Sequence, residues 1–304
     1  MEIINLQIQI FLLLALGYIL TKKGYFSKQA RTQLTNIVLM IVLPCSIIMS
    51  FQMKLTTQII SSTFIVFIIS LLIQLFYGIL NRILYKKSSD EKKICLQYGT
   101  MVSNAGFMGM PISQGVFGNV GLLYASIFLI PQRIFMWSSG LSLFTSVNKK
   151  DLIKKVMTHP CIIAIYFGII MMILTSLNIE LPTFLISTLS SIGNCNTALS
   201  MMVIGGILAD VDDEHILDKD ICLYSLYRLI LIPICILIVL RITHIDTLSA
   251  NVCVLLSAMP AASTTAMLAQ KYDKNAAFAS KMIFVSTIFS LITLPIITLI
   301  LHTF

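Results

Sequence analysis

The chain has 304 residues, 57% of them hydrophobic and only 11% charged, with a formal net charge of +8 and a mean hydropathy of +0.93. A soluble domain carries roughly 25% charged residues, so a water-soluble fold is excluded: there is too little polar surface to cover this much apolar side chain. The basic residues sit in short segments one apolar stretch apart, with no contiguous basic face, which excludes a nucleic-acid partner and reads instead as membrane topology.

A hydrocarbon core about 30 Å thick takes about 20 apolar helical residues to cross. Windows of that length predict ten spans in chain order, over 4–21, 33–51, 58–80, 94–116, 119–146, 159–177, 183–209, 221–241, 249–270 and 276–301. The first carries Glu2 ahead of it and Lys22 and Lys23 behind. A cleaved signal has the opposite charge order, so this stretch is expected to remain as a span.

Charge in the connecting loops orients the whole. Loops after odd-numbered spans hold Lys22, Lys23, Lys28 and Arg31, then Arg82, Lys86, Lys87, Lys92 and Lys93, then Lys149, Lys150, Lys154 and Lys155, then Lys219, then Lys271, Lys274 and Lys281. The other side has Lys54 and Arg241. Positive charge marks the cytoplasmic side, so both termini are expected outside a plasma membrane. One loop departs from the pattern, with Asp210, Asp212, Asp213, Glu214, Asp218 and Asp220 around a lone Lys219; it is either a solvated loop or a cation-binding or regulatory element.

Cys45, Cys95, Cys161, Cys195, Cys222, Cys235 and Cys253 are scattered singly, without metal or redox spacing, and read as small apolar residues. His159, His215, His244 and His302 have no second ligand at helical spacing. No cofactor or metal is expected.

Ten spans divide at the basic connector 148–158 into five and five, 1–147 and 159–304. An odd number in each half inverts the second relative to the first. Their fourth members are the least regular: Asn104-Ala-Gly-Phe-Met-Gly-Met-Pro111 and Met259-Pro260-Ala-Ala-Ser-Thr-Thr265. Proline removes a backbone donor and clashes with the preceding turn, and Gly106 and Gly109 weaken the helix further, so unwinding is expected at both places. Irregular backbone at that depth survives only when buried or lining a wet cavity, and matched Gly/Pro interruptions in two halves point to a transport site. After each break the text also rhymes, Phe117-Gly-Asn-Val-Gly-Leu-Leu-Tyr124-Ala-Ser against Tyr272-Asp-Lys-Asn-Ala-Ala-Phe278-Ala-Ser.

Those two segments, with Ala258-Met-Pro260-Ala, Ala269-Gln-Lys-Tyr272, Ser286-Thr287 and Leu294-Pro295, resemble the auxin efflux carrier family of membrane transporters. The resemblance implies an inverted repeat of five helices, with crossover fourth and ninth helices in a transport domain and the first, second, sixth and seventh in a scaffold that often dimerises. Plant members have a long hydrophilic loop between the halves; here Asn148 to Thr158 is short, as in compact microbial members associated with organic acids such as malate or malonate.

The fold expected is therefore all-α and membrane-integral, ten helices in two inverted repeats with broken fourth and ninth helices. The function expected is a secondary transporter of a small mono- or dicarboxylate by alternating access, and not an enzyme; the alternative is a membrane sensor binding such an acid without flux. Donors for an anion are expected from freed backbone at Gly106, Pro111 and Pro260, from Asn104 and Ser103, and from Ser263, Thr264 and Thr265. Arg133, too deep to snorkel easily, would meet the anion or close a helix contact. Arg228 is expected to pair with Asp210 or Asp213, and Asn36, Asn194 and Asn196 to act as polar glue or in coupling. Gly17, Gly205 and Gly206 suggest close helix approach in a homodimer.

Overall fold

The computed structural model describes residues 2–145, 153–154, 156–179, 181–209, 218–243 and 245–303. Most of the connector at 148–158 and the acidic stretch from Asp210 to Glu214 lie outside the described residues. Among the described residues the structure is all-helical, the sole β-type pairing being one isolated bridge, Ser103 with Ala261.

In chain order the helices are α1 (Glu2–Lys22), α2 (Lys28–Ile37), α3 (Leu43–Ser50), α4 (Thr57–Ile83), α5 (Asp90–Met101), α6 (Met110–Phe135), α7 (Pro160–Ser176), α8 (Thr183–Asn194), α9 (Asn196–Leu208), α10 (Lys219–Leu226), α11 (Ile232–Ile242), α12 (Thr247–Ser257), α13 (Thr264–Lys271) and α14 (Ala276–Thr303). Six helical stretches are long and apolar enough to cross a membrane, the third of them interrupted at Gly118: Lys28–Ser50, Thr57–Ile83, Ala105–Gly140, Thr183–Leu208, Lys219–Ile242 and Ala276–Thr303. Ile8–Lys22, Pro160–Ser176 and Thr247–Ser257 are apolar but shorter. Their outward faces carry large apolar side chains, among them Phe64, Leu72 and Ile79 on α4 and Phe167 and Ile170 on α7, the surface a lipid solvent requires.

Three of the long stretches pass through a π-helical turn two residues before a proline: Val38–Val42 before Pro44, Ala105–Gly109 before Pro111, and Tyr227–Leu231 before Pro233. Proline cannot donate and its ring clashes with the carbonyl four residues back. A π-turn placed there shifts the ladder by one residue and lets the helix continue.

Two helices are cut outright. α5 stops at Met101, Val102 is extended (φ −122°, ψ 103°), and Asn104 starts the next turn. α12 stops at Ser257 and α13 starts at Thr264. The first break therefore lies at 102–104 and not across Asn104 to Pro111 as the sequence suggests. Gly106 and Gly109 belong to the π-turn, and Pro111 follows it at the start of α6, where the shifted ladder accommodates the missing N–H. The second break does contain its proline, Pro260.

The rhyming segments after the breaks share a backbone feature. Gly118 (φ +66°) divides α6, and Asp273 (φ +52°) ends the turn after α13. Ser113 Oγ donates to Gly121 O at 2.9 Å, although residues eight apart in a straight helix lie about 12 Å apart. The chain thus doubles back at Gly118.

Gly17 and Gly205 lock α1 against α9. A Cβ on Gly17 would collide with Met202 O, one on Gly205 with Leu14 O, and one on Gly206 with Arg31 Cδ. The close approach these glycines suggested is real, but it is within one chain: they are already occupied and are not available to a second protomer.

Candidate functional site

The two breaks meet. Asn104 N–H donates to Pro260 O at 2.8 Å, and Ser103 pairs with Ala261 as antiparallel extended backbone. Four half-helices converge there: α5 and α12 arrive with their C-terminal carbonyls, while the Ala105–Gly109 turn and α13 depart with first-turn amides that have no partner within their own helix. The crossing thus offers both signs of partial charge within a few residues.

Arg228 satisfies the negative ends. Its side chain is 1% exposed; Nε donates to Met259 O at 3.2 Å and Nη1 to Thr100 O at 3.1 Å, and the guanidinium lies 4.8 Å from the Tyr77 ring centroid. One cation therefore spans the carbonyl ends of both broken helices. This corrects the expected pairing with Asp210 or Asp213: those residues lie outside the described set, and the guanidinium points inward, where two carbonyls with no helical N–H to accept from are the stronger attraction.

Ser103 and Asn104 behave differently from the usual membrane serine, which bonds back to its own helix as Thr100, Ser126 and Ser225 do here. Ser103 Oγ donates to Gln132 Oε1 at 3.3 Å, and Gln132 Nε2 donates to Ser103 O at 2.9 Å, so α6 holds the first break in place by a two-way amide contact. The half-buried Asn104 uses its backbone: its carbonyl accepts from Met108 N at 3.0 Å and Gly109 N at 3.2 Å. Its side-chain amide makes no hydrogen bond to any described residue.

Arg133 lies one residue beyond Gln132 and is 6% exposed. A Cβ on Gly106 would stand 3.9 Å from Arg133 Nη2 and 3.8 Å from Leu129 Cδ1, so the guanidinium sits against the first turn after the break. Its Nη1 is buried without a hydrogen-bond partner among the described residues. Gly109 has a different role: a Cβ there would stand 2.8 Å from Leu256 Cδ2 and 3.0 Å from Met259 Cγ, so it lets the two interrupted helices touch.

On the second break the expected hydroxyls separate. Tyr98 OH donates to Thr264 Oγ1 at 3.2 Å; Thr265 is fully buried with Oγ1 unpartnered; Ser263 is exposed. Ser263 lines a cavity of about 500 Å³ between α2, the end of α9, α13 and α14, whose wall also carries Lys28, Arg31 and Lys281. Ser103, Asn104, Gly106 and Arg133 are not on that wall. The structure thus joins Ser103, Asn104, Gly106, Arg133 and Pro260 at one crossing and leaves Ser263 on an adjoining vestibule. Asn36 and Asn194 are exposed, while Asn196 is buried, with Oδ1 accepting from Ser200 Oγ at 3.3 Å and Nδ2 unpartnered.

Sequence reasoning passed over Gln132, Tyr77 and the carbonyls of Thr100 and Met259. Gln132 was visible as an uncharged polar residue deep in an apolar helix; the carbonyls had no side-chain signal.

The described part of the acidic loop serves a nearer purpose. Lys92 pairs with Asp218 at 2.6 Å and with Asp220 at 3.8 Å, and Ser88 Oγ donates to Asp220 Oδ1 at 3.0 Å. Burial pushes the Asp218 carboxyl up, but the hydrogen bonds from Lys92 and from the backbone of Asp220 outweigh it and hold it below the usual range; Lys92 is raised, chiefly by its bond to Asp218.

An apolar helical bundle whose two broken helices cross among unpaired donors defines a membrane transport protein. Comparison with known proteins gives the family: the model for the membrane transport protein family, of the auxin efflux carrier type, matches residues 2–159 and again 143–298, and the chain belongs to it. It is also similar to an uncharacterized transporter of Methanocaldococcus jannaschii, 27% identical over 298 residues, covering 94% of this chain and 95% of the relative. A second uncharacterized transporter, from Methanothermobacter thermautotrophicus, is 25% identical over 299 residues and covers 97% of each chain.

Proposed function

We propose that the protein is a secondary carrier of a small organic anion, a mono- or dicarboxylate, bound where the two broken helices cross and moved by alternating access. The observation that carries this reading is the crossing itself: the 2.8 Å bond from Asn104 N–H to Pro260 O joins the two breaks, and the free Asn104 amide and the buried Arg133 lie beside the turn that leaves the first of them. Desolvating a carboxylate requires fixed donors of this kind.

The topology that goes with it is ten spans in two inverted repeats, 1–147 and 159–304, in a plasma membrane with both termini outside. The positive-φ turns at Gly118 and Asp273, each following the half-helix that leaves a break, support such a relation. The vestibule at Ser263, lined by Lys28, Arg31 and Lys281, then opens toward the basic, cytoplasmic side. A homodimer would form through the scaffold helices on surfaces other than the occupied glycines.

Counterflow of labelled carboxylates in proteoliposomes tests the reading against a sensor that binds without flux. Asn104→Ala is expected to weaken the half-saturation for anion about tenfold to a hundredfold, the worth of one charge-assisted hydrogen bond of ~1.5–3 kcal/mol, while Ile292→Ala on the outer face of α14 leaves it unchanged. A correctly inserted Asn104→Ala protein with parental rate and affinity would refute the site.

A further inference from the structure

Arg133 and Arg228 are both buried in the interior, and the structure compensates them unequally. Arg228 has two carbonyls and an aromatic face. Arg133 has its Nη1 buried without a hydrogen-bond partner among the described residues, and its Nη2 lies against the backbone at Gly106. None of the buried side chains among the described residues is a carboxylate. A guanidinium is a permanent cation, so its surroundings or a ligand must supply the compensation.

We propose that the protein is an anion exchanger, in which the transported carboxylate is the counter-ion of Arg133 and the empty carrier does not readily reorient. The inference rests on the carrier reading above and adds its mode. Alternating access takes the crossing from one aqueous side to the other through a state from which water is withdrawn. With a carboxylate against Nη1 and the first-turn amides after Asn104, that passage moves a paired charge. Empty, it strips water from an unpaired cation, which is costly at membrane depth. Release of one anion therefore leaves the carrier waiting for another, and flux runs one for one. Even the lower measured scale for a central arginine corresponds to a rate penalty of roughly a hundredfold.

The test uses the full chain in proteoliposomes with valinomycin and equal potassium on both sides, so that potential does not limit flux. Uptake of labelled lactate, succinate and malate is compared between vesicles filled with the same unlabelled anion and vesicles filled with potassium dextran sulfate, a polyanion too large to enter the crossing. Uptake roughly a hundredfold faster into the anion-filled set is expected. Equal initial rates overturn exchange and leave the carrier reading standing; no uptake of any probe in either set overturns the carrier reading itself. Arg133→Lys, which keeps the charge, is expected to keep the ratio. Arg133→Gln is expected to bring it within about threefold of unity, or to lose uptake in both sets while the Lys variant still exchanges; a Gln variant with the parental ratio overturns the assignment to Arg133.

Discussion

Replacing Arg228 with Met keeps most of the side-chain volume and removes the charge, which isolates the clasp between the two broken helices. Lost are two charge-assisted bonds, to Met259 O and Thr100 O, at ~1.5–3 kcal/mol each, and the contact with Tyr77, ~1–2 kcal/mol where desolvated. Against this, a buried cation no longer has to be kept from water, which returns several kcal/mol. The two carbonyls left without donors tip the balance, and a net destabilisation of about 2–4 kcal/mol is expected. Arg228→Lys can reach one carbonyl at a time and should lie between the two. The assay is equilibrium unfolding in mixed micelles, paired with maleimide labelling of Cys253, which is fully buried in α12; labelling should speed up in the Met variant as α12 separates from α5. A Met variant as stable as the parent, with Cys253 equally protected, would refute the claim that this arginine holds the crossing together.

Two further predictions are less costly to check. Gly109→Ala should destabilise by about 1–3 kcal/mol, because its Cβ would press on Leu256 and Met259 at 2.8 and 3.0 Å. Gly106→Ala, whose nearest contacts are 3.8 and 3.9 Å, should stay within about 0.5–1 kcal/mol; the same unfolding titration ranks them. The Lys92–Asp218 pair should leave a pH signature at both ends. Asp218 is depressed on folding, so its contribution is present above the ordinary carboxylate value of about 3.9 and is lost as pH falls below it; Lys92 is raised, so its contribution is present below about 10.4 and is lost as pH rises further. The pair is about a third exposed, so less than ~1 kcal/mol is expected, and Lys92→Ala should flatten both limbs of the stability profile.

The depth of a residue was legible in the sequence, but its direction was not. Asn104, Arg133 and the two interruptions stood out because a polar or helix-breaking residue in the middle of an apolar run has few innocent explanations. Arg228 was read toward the loop because spacing along a helix gives height and not azimuth; its real partners are main-chain carbonyls that exist only because α5 and α12 end where they do. The first break was placed across Asn104 to Pro111 by the rule that proline stops helices, yet the helix stops at Met101 and a π-turn absorbs the proline. Gly17 and Gly205 announced a close contact correctly, since a pattern of small residues specifies that something approaches, without specifying which surface.

That contact between α1 and α9 sets a schedule for synthesis. Gly17 and its backbone neighbour Met202 are separated by most of the chain, and ribosomes add about 5–20 residues per second. The first helix therefore spends on the order of 10–40 s in the bilayer before its partner emerges. Throughout that interval its glycine groove faces lipid, open to any other nascent helix that can fill it. The two crossing segments wait in the same way, the Asn104 amide for a carbonyl that arrives with Pro260. Assembly of this protein is thus a matter of holding early segments uncommitted until late ones are made, and variants that close the α1 groove should fail during biogenesis before they fail at equilibrium.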